Sequence, residues 1–267
     1  MKISFIGGGV MAEALIAGIL EARLCTPNQI RVGEPLKSRR TYLENKYAIT
    51  VCQSNLSAID DTNIIILSIK PQTLNEILSE LKGHLTRDKT IISIIPGVSL
   101  ATLSQALNHN EIIRVMPNTP AQIRDGMSVW VSSEFIPDQR IEDTKKILDT
   151  LGEQLRVPEE KFIDMATALS GSGPAYVFLF IESLVDAGVN LGMPRNMALK
   201  LVLQTVLGST KLVLTSDKHT ADLKDLVASP GGTTIAALMT LEQNGFRSAI
   251  ADAVVTAYKK SLELGKG

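Results

Sequence analysis

Two glycine clusters are the parts of this chain whose residue types and spacing could do chemistry. The first, Gly7-Gly8-Gly9, breaks the apolar run Ile3-Ser4-Phe5-Ile6 and leads into a helical run that starts Val10-Met11-Ala12. Gly7-x-Gly9-x-x-Ala12 is the spacing of a dinucleotide-binding turn. Gly7 permits the tight turn out of a strand, Gly9 lets a diphosphate approach the main chain, and Ala12 is small enough for the helix to press onto the sheet. The helix start adds free N–H groups and the positive end of its dipole. The second cluster is Ser229-Pro230-Gly231-Gly232-Thr233-Thr234. Ser229 is expected to be an N-cap and Pro230 the first helical residue. Two glycines at a helix start cost about 1 kcal/mol each relative to alanine. Such a cost is tolerated where main-chain N–H groups must come close to a carboxylate or phosphate. Thr233 and Thr234 add hydroxyls at the same place.

Other candidates sit where strands should end. Glu34 closes the run Ile30-Arg31-Val32-Gly33. An acid about twenty residues past the glycine turn accepts hydrogen bonds from the adenosine ribose, which favours NAD. Lys37, Arg39 and Arg40 follow at once and suit a 2′-phosphate. Glu34 could also pair with Arg39 or Arg40 and leave room for either cofactor, so the choice stays open. Asn55, Ser68-Ile69-Lys70-Pro71, Ile95-Pro96-Gly97 and Met116-Pro117-Asn118-Thr119-Pro120 are loops expected on the same rim of a sheet, where open α/β sheets bind ligands. Lys70 could reach a nicotinamide ribose and Asn118 a ligand amide. Ser170-Gly171-Ser172-Gly173-Pro174-Ala175-Tyr176 either binds an anion or only starts a helix.

Several function classes have little support. The 267 residues carry a formal net charge of −1 and only 4% aromatic residues, so neither a field for nucleic acid nor stacking platforms for bases are expected. Cys25 and Cys52 have no CxxC spacing and read as free thiols in a reducing compartment. No metal site is expected. His84, His109 and His219 read as solvated loop or helix-end residues, so no Ser-His-Asp or Cys-His constellation can be built. Chemistry that asks little of protein acids and bases suits a redox cofactor, which performs the difficult step itself. The N-terminus does not read as a signal peptide, and Tyr176–Leu191, interrupted by Glu182 and Asp186, reads as a buried helix and not a membrane span. The cytoplasm is the expected compartment.

These residues need a scaffold, and the first half supplies alternating elements. Expected strands are Lys2–Ile6, Ile30–Val32, Thr50–Val51, Ile64–Ile69, Thr90–Ile94, Ile112–Val115, Met127–Val131 and Gln154–Val157. Expected helices among them are Val10–Glu21, Ser38–Lys46, Thr73–Leu81, Leu100–Leu107 and Asp138–Leu151. The alternation predicts a parallel sheet with helices on both faces. Past Pro158 the strand patterns stop, and Lys161–Ser170, Pro174–Leu191, Pro194–Thr215, Thr220–Ala228, Thr233–Gly245 and Phe246–Leu264 all read as helices. The expected division is residues 1–158 and 159–267. Leu179, Leu184, Val185, Leu191, Leu199, Leu203, Val206 and Leu207 offer more apolar surface than about a hundred residues can hide alone, which predicts a dimer through these helices.

Together FIGGGVMAEAL, SIKP, RVMPNTPA, GSGPAY and above all DLVASPGGTTIAALMTLEQ with GFRSAI resemble the pyrroline-5-carboxylate reductases over nearly the whole length. The resemblance implies an α/β fold: an N-terminal Rossmann-type parallel-sheet domain that binds the dinucleotide, and an all-α C-terminal domain that binds substrate and dimerises. It implies NAD(P)H-dependent reduction of 1-pyrroline-5-carboxylate to L-proline, with NADPH or NADH as cofactor, in a homodimer that in some members assembles into a decamer. By similarity Gly7, Gly9, Val10, Met11, Ala12, Asn55, Ser68, Lys70 and Pro71 contact the cofactor. Ser229, Gly231, Gly232, Thr233 and Thr234 form the substrate pocket, with the Thr234 hydroxyl on the ring nitrogen. Val10 stands where many relatives have a polar residue such as Asn, and Glu34 where some NADP-using relatives have Ser. Two alternatives stay open. One is a related imine or β-hydroxyacid reductase, for which Lys161, Lys200 and Lys211 are the available lysines. The other is a non-catalytic nucleotide-binding protein.

Overall fold

In the computed structural model, which describes residues 1–134 and 136–265, eight strands form one sheet: β1 (Ile3–Ile6), β2 (Ile30–Gly33), β3 (Thr50–Cys52), β4 (Ile64–Leu67), β5 (Thr90–Ser93), β6 (Ile112–Met116), β7 (Gly126–Ser132) and β8 (Gly152–Arg156). Their order is β3-β2-β1-β4-β5-β6-β7-β8. The chain runs outward from β1 in both directions, so β1 and β4 flank the point where strand order reverses. Loops leaving neighbouring strands diverge there and open a crevice. Registers such as Ile6 against Gly33 and against Leu67 bring the ends of β2 and β4 level with the first glycine turn.

The strands are buried on both faces, as their branched apolar composition requires. Ile64 and Ile66 join Ile3, Phe5 and helix α1 (Val10–Glu21) on one side. Ile65 and Leu67 join Leu78 and Leu81 of α4 (Leu74–Leu81) and Leu103 and Leu107 of α5 (Leu100–Leu107) on the other. Ala12, Leu15, Ile16, Gly18 and Ile19 form the buried stripe of α1. Gly18 is required there, since a Cβ would lie 2.7 Å from Thr150 Oγ1. Val10, at the first helical position, is 62% exposed.

Two local differences from expectation have clear causes. β7 runs antiparallel to β6, although the other pairs are parallel. The connection from Met116 to Gly126 holds only a 3₁₀ turn at Thr119–Ile123. It is too short for the crossover that a parallel pair requires. Asn55, expected in a loop, starts a one-turn helix α3 (Asn55–Ile59), because Ser54 caps it by accepting from Ser57 N–H at 3.4 Å.

The described chain falls into two compact units, Met1–Ser172 with the last helix from Ala257 onward, and Gly173–Thr256. α7 (Lys161–Ala166) belongs to the first unit because it packs on the sheet. Its Ile163 is buried with Val129, Val131 and Val157. After it, Thr167–Gly171 forms a π-helical turn closed by Ser172 N–H to Thr167 O at 2.8 Å, where an unbroken helix was expected.

An ionic cluster holds these pieces of the first unit. Arg114, on β6 and 4% exposed, donates to Glu160 Oε1 at 2.8 Å and to Asp164 Oδ1 at 3.0 Å. Glu160 Oε1 also accepts Leu100 N–H, and Ser261 Oγ donates to Asp164 Oδ1. Arg114→Ala leaves two acids without their cation and is expected to destabilise the fold by about 3 kcal/mol in urea titration. A loss below about 1 kcal/mol would show the cluster to be dispensable.

In the second unit lie α8 (Gly173–Asn190), α9 (Arg195–Thr215), α10 (Thr220–Leu226), α11 (Thr233–Gln243) and the start of α12 (Phe246–Leu264). α8 and α9 pack closely where Gly188 faces Ala198, with room for a Cβ only 3.1 Å from the alanine Cβ. Most of their apolar side chains remain in the open, including Phe178, Leu179, Leu203 and Leu207. Two helical segments, Lys161–Asn190 and Arg195–Thr215, are long and apolar enough by length and composition to cross a membrane.

Candidate functional site

The first glycine turn is built by three surrounding elements. Gly7 N–H donates to Gly33 O at 2.8 Å, and Gly7 sits at φ +94° with no room for a side chain, a Cβ falling 2.7 Å from Ser68 O. Ser68 Oγ, just past β4, closes the turn by donating to Gly7 O at 2.7 Å. Gly8 is enclosed by Leu43 and Glu34. At Gly9 the situation inverts, because a Cβ there would meet nothing within 4 Å. Gly9 is the N-cap of α1, and the first helical bond is Glu13 N–H to Gly9 O at 2.9 Å. The N–H groups of Val10, Met11 and Ala12 precede that bond and have no side-chain cap. Open space in front of uncapped amides at a dipole end fits a dinucleotide diphosphate.

Glu34 is buried. Its Oε2 accepts Gly8 N–H and its Oε1 accepts Leu36 N–H, both at 2.9 Å. Neither arginine pairs with it, contrary to one expectation. Arg39 instead donates to Gly8 O and to Glu13, both at 2.5 Å. Arg40 donates to the main-chain oxygens of Glu34 and Pro35 at 3.0 and 2.7 Å. The carboxylate of Glu34 thus holds the N–H of Gly8 and the guanidinium of Arg39 holds its carbonyl.

Glu13 is the residue sequence reasoning missed. Its carboxylate collects Arg39, Lys46, Tyr42 and Tyr47. Partial burial pushes this carboxyl up, but the hydrogen bonds from Lys46, Arg39, Tyr42 and Tyr47 outweigh it and hold it at about 2. A depressed folded value adds stability that is complete above the unfolded carboxyl range and lost as pH falls toward about 2. Glu13→Gln should therefore lower the melting temperature at pH 7, and the gap between variant and wild type should close on acidification from about pH 5 downward. A gap independent of pH would remove the charge from the explanation. Only the helical spacing from Gly9 could have hinted at Glu13, since its partners come from α2 (Lys37–Tyr47).

The remaining expected cofactor residues line the same end of the sheet. Asn55 lies over Gly33, whose missing side chain makes room for its Oδ1, and its Nδ2 donates to Glu80 Oε2 at 2.7 Å. Lys70 and Pro71 are exposed at the end of β4, where Pro71–Thr73 makes a 3₁₀ turn. Asn118 is engaged by the fold: Oδ1 accepts Met127 N–H at 2.9 Å and Nδ2 donates to Ser170 O at 3.2 Å. His109, expected to be solvated, is buried, with Nε2 2.6 Å from Lys89 O. Cys25 and Cys52 are free thiols. Among the described residues no group of three His, Cys, Asp or Glu side chains could hold a metal.

In the second unit, the Ser229 segment folds differently from the expected cap. Pro230 and Gly231 occupy the corner of a turn closed by Gly232 N–H to Ser229 O at 3.0 Å, with Gly231 at φ +69°. Proline followed by a positive-φ glycine is the type II turn pattern, which proline at a first helical position would forbid. The N-cap is Gly232, and α11 begins at Thr233. Its first bond, Ala236 N–H to Gly232 O at 3.3 Å, leaves the N–H groups of Thr233, Thr234 and Ile235 ahead of it with no side-chain cap. The hydroxyls of Thr233, which is exposed, and Thr234, which is half-buried, have no hydrogen-bond partner among the described residues. Uncapped amides and free hydroxyls on one short turn can hold a small carboxylate and still offer a hydroxyl to a neighbouring polar atom.

The two parts of the chain match known families. Residues 160–264 match the family model for pyrroline-5-carboxylate reductase dimerisation, and residues 2–97 match that for NADP oxidoreductase, coenzyme F420-dependent. A pyrroline-5-carboxylate reductase of Synechocystis is 44% identical over 266 residues, covering 100% of this chain and 99% of the relative. One of Pisum sativum is 40% identical over 98% of this chain and 95% of its own length. Among solved structures, the Plasmodium falciparum pyrroline carboxylate reductase with NADP bound superposes with a TM-score of 0.90 at 35% identity, over 99% of this chain and 98% of that one.

Proposed function

The chain belongs to the pyrroline-5-carboxylate reductase family, and we infer that it reduces 1-pyrroline-5-carboxylate to L-proline with NAD(P)H. The observation that supports this most is a pair of uncapped, glycine-rich helix starts, one at Gly9 and one at Gly232, where open main-chain amides can hold a diphosphate and a small carboxylate. When bound, NAD(P)H supplies the hydride for the C=N carbon.

The protein's own part is binding, orientation and charge. The amides of Val10, Met11 and Ala12 hold the diphosphate, with Asn55, Ser68, Lys70 and Pro71 along the rim. Asn118 contributes by fixing β7 to the π turn, since its amide is already engaged. The substrate carboxylate is held by the free N–H groups of Thr233, Thr234 and Ile235 at the start of α11, which the Ser229–Gly232 turn presents. The Thr234 hydroxyl hydrogen-bonds the ring nitrogen, whose proton is already present in the protonated imine, so no separate acid is needed. Orientation and fixed dipoles then supply most of the acceleration. Loss of absorbance of the reduced cofactor on adding 1-pyrroline-5-carboxylate tests the reading, and L-proline must appear in equal amount. No turnover with either cofactor would refute it.

The exposed apolar side of the second unit is read as the face of a homodimer, not as a lipid contact, because the matched model for this segment is one of dimerisation. Light scattering is expected to give a dimer or a multiple of it, including a decamer. Leu203→Glu, at a 46% exposed position on α9, is expected to shift the particle to monomer. A wild-type monomer at micromolar concentration would contradict the interface. A cytoplasmic location accords with two free thiols.

A further inference from the structure

We propose that Glu34 makes this enzyme selective for NADH over NADPH, and that Arg39 and Arg40 shape the glycine turn instead of receiving a 2′-phosphate. The proposal rests on the dinucleotide reading of the first glycine turn. Sequence alone leaves the choice open, since an acid and three basic residues compete within Glu34–Arg40.

The structure removes most of that competition. Glu34 directly follows β2, beside β1, where the acid of a dinucleotide fold meets the adenosine ribose. Its carboxylate is immobilised by two main-chain donors, Gly8 N–H and Leu36 N–H, each at 2.9 Å. Swinging it aside would strand the buried Gly8 N–H without an acceptor. Each carboxylate oxygen keeps a second lone pair, so ribose hydroxyls can still donate to it. A 2′-phosphate has no proton to give at neutral pH and would be pressed against a fixed like charge.

The two arginines are tied to the glycine turn and its loop. Arg39 uses Nε on Gly8 O and Nη2 on Gly9 O and Glu13, and lies over the Tyr42 ring at 4.9 Å. Releasing it would uncover the Glu13 carboxylate and the turn carbonyls together. Arg40 holds two main-chain oxygens of the same loop through Nη1. Lys37 is the cation of this segment with no hydrogen-bond or ion-pair partner among the described residues, and it is exposed, where solvent screens its charge.

Calorimetric titration of the full-length protein with NADH and NADPH, without pyrroline substrate, reads the preference directly. NADH is expected to bind about 10- to 100-fold more tightly. Glu34→Gln keeps an acceptor for Gly8 N–H and removes the charge; it should bring the two dissociation constants within about 3-fold, chiefly by tightening NADPH. Glu34→Ser should do the same with weaker binding overall. Equal or tighter NADPH binding by the wild type overturns the proposal, whether or not the variants fold. An unchanged ratio in variants that melt like the wild type also overturns it. Selective binding without turnover of 1-pyrroline-5-carboxylate would instead count against the reductase reading alone.

Discussion

Thr234→Ala is expected to lower kcat by about 100-fold while leaving the dissociation constants of NADH and NADPH within about 2-fold of the wild type. The hydroxyl is a free donor and acceptor at an uncapped helix start, so its removal deletes an interaction with the reacting ring and none that the fold uses. Alanine is also a better helix former than threonine, so α11 should lose no stability. Thr234→Ser restores the hydroxyl and should recover much of the rate. Thr233→Ala, on a more exposed neighbour, should act on the Michaelis constant for the pyrroline more than on kcat. Steady-state kinetics with both substrates varied separates these patterns. Full activity in Thr234→Ala would remove that residue from the mechanism and leave the main-chain amides as the whole of the substrate site.

The second large effect divides two glycines that look alike in sequence. Gly9→Ala should leave the melting temperature unchanged and weaken cofactor binding by about 10- to 100-fold. Its backbone, at φ −68° and ψ −172°, suits any residue, and the added methyl meets no protein atom within 4 Å. The methyl would stand in the space where the diphosphate must approach the amides of Val10 to Ala12. Gly7→Ala should instead damage the fold, by about 2–4 kcal/mol. It demands φ +94° of an alanine and brings Cβ within 2.7 Å of Ser68 O and 3.1 Å of Ile69 Cγ2. Thermal melts and dinucleotide titrations of the two variants test both halves. A destabilised Gly9→Ala with intact cofactor affinity would falsify the assignment of that open space.

Much of the architecture was legible because strand and helix patterns here are local. The runs Ile3–Ile6 and Ile64–Leu67 are apolar on consecutive residues, as a doubly covered sheet demands, and α1, α5 and α12 begin and end where periodicity and glycines place them. The family resemblance was legible in the same way, since SPGGTT and the glycine turn are contiguous segments. Less visible were features made by distant residues. The reversal of β7 depends on how far the short link after Met116 can reach. The buried Arg114 on β6 reads as an interruption of an apolar strand until Glu160 and Asp164 arrive from α7 and the residue before it.

Residue types and their spacing alone determined an α/β first half and a helical second half, and singled out one glycine turn suited to a dinucleotide and a glycine-threonine turn suited to a small acid. Those properties follow from backbone freedom and periodicity, which neighbours along the chain dictate. Tertiary structure decided which charges are available. It turned Arg39 toward Glu13 and the Gly8 carbonyl, fixed Glu34 on two amides, and made Pro230-Gly231 a turn with Gly232 as the cap. Charged side chains are long, and several partners lie within reach of each. Their final choice depends on which donors and acceptors the folded backbone brings near and buries, a quantity that no local window of sequence contains.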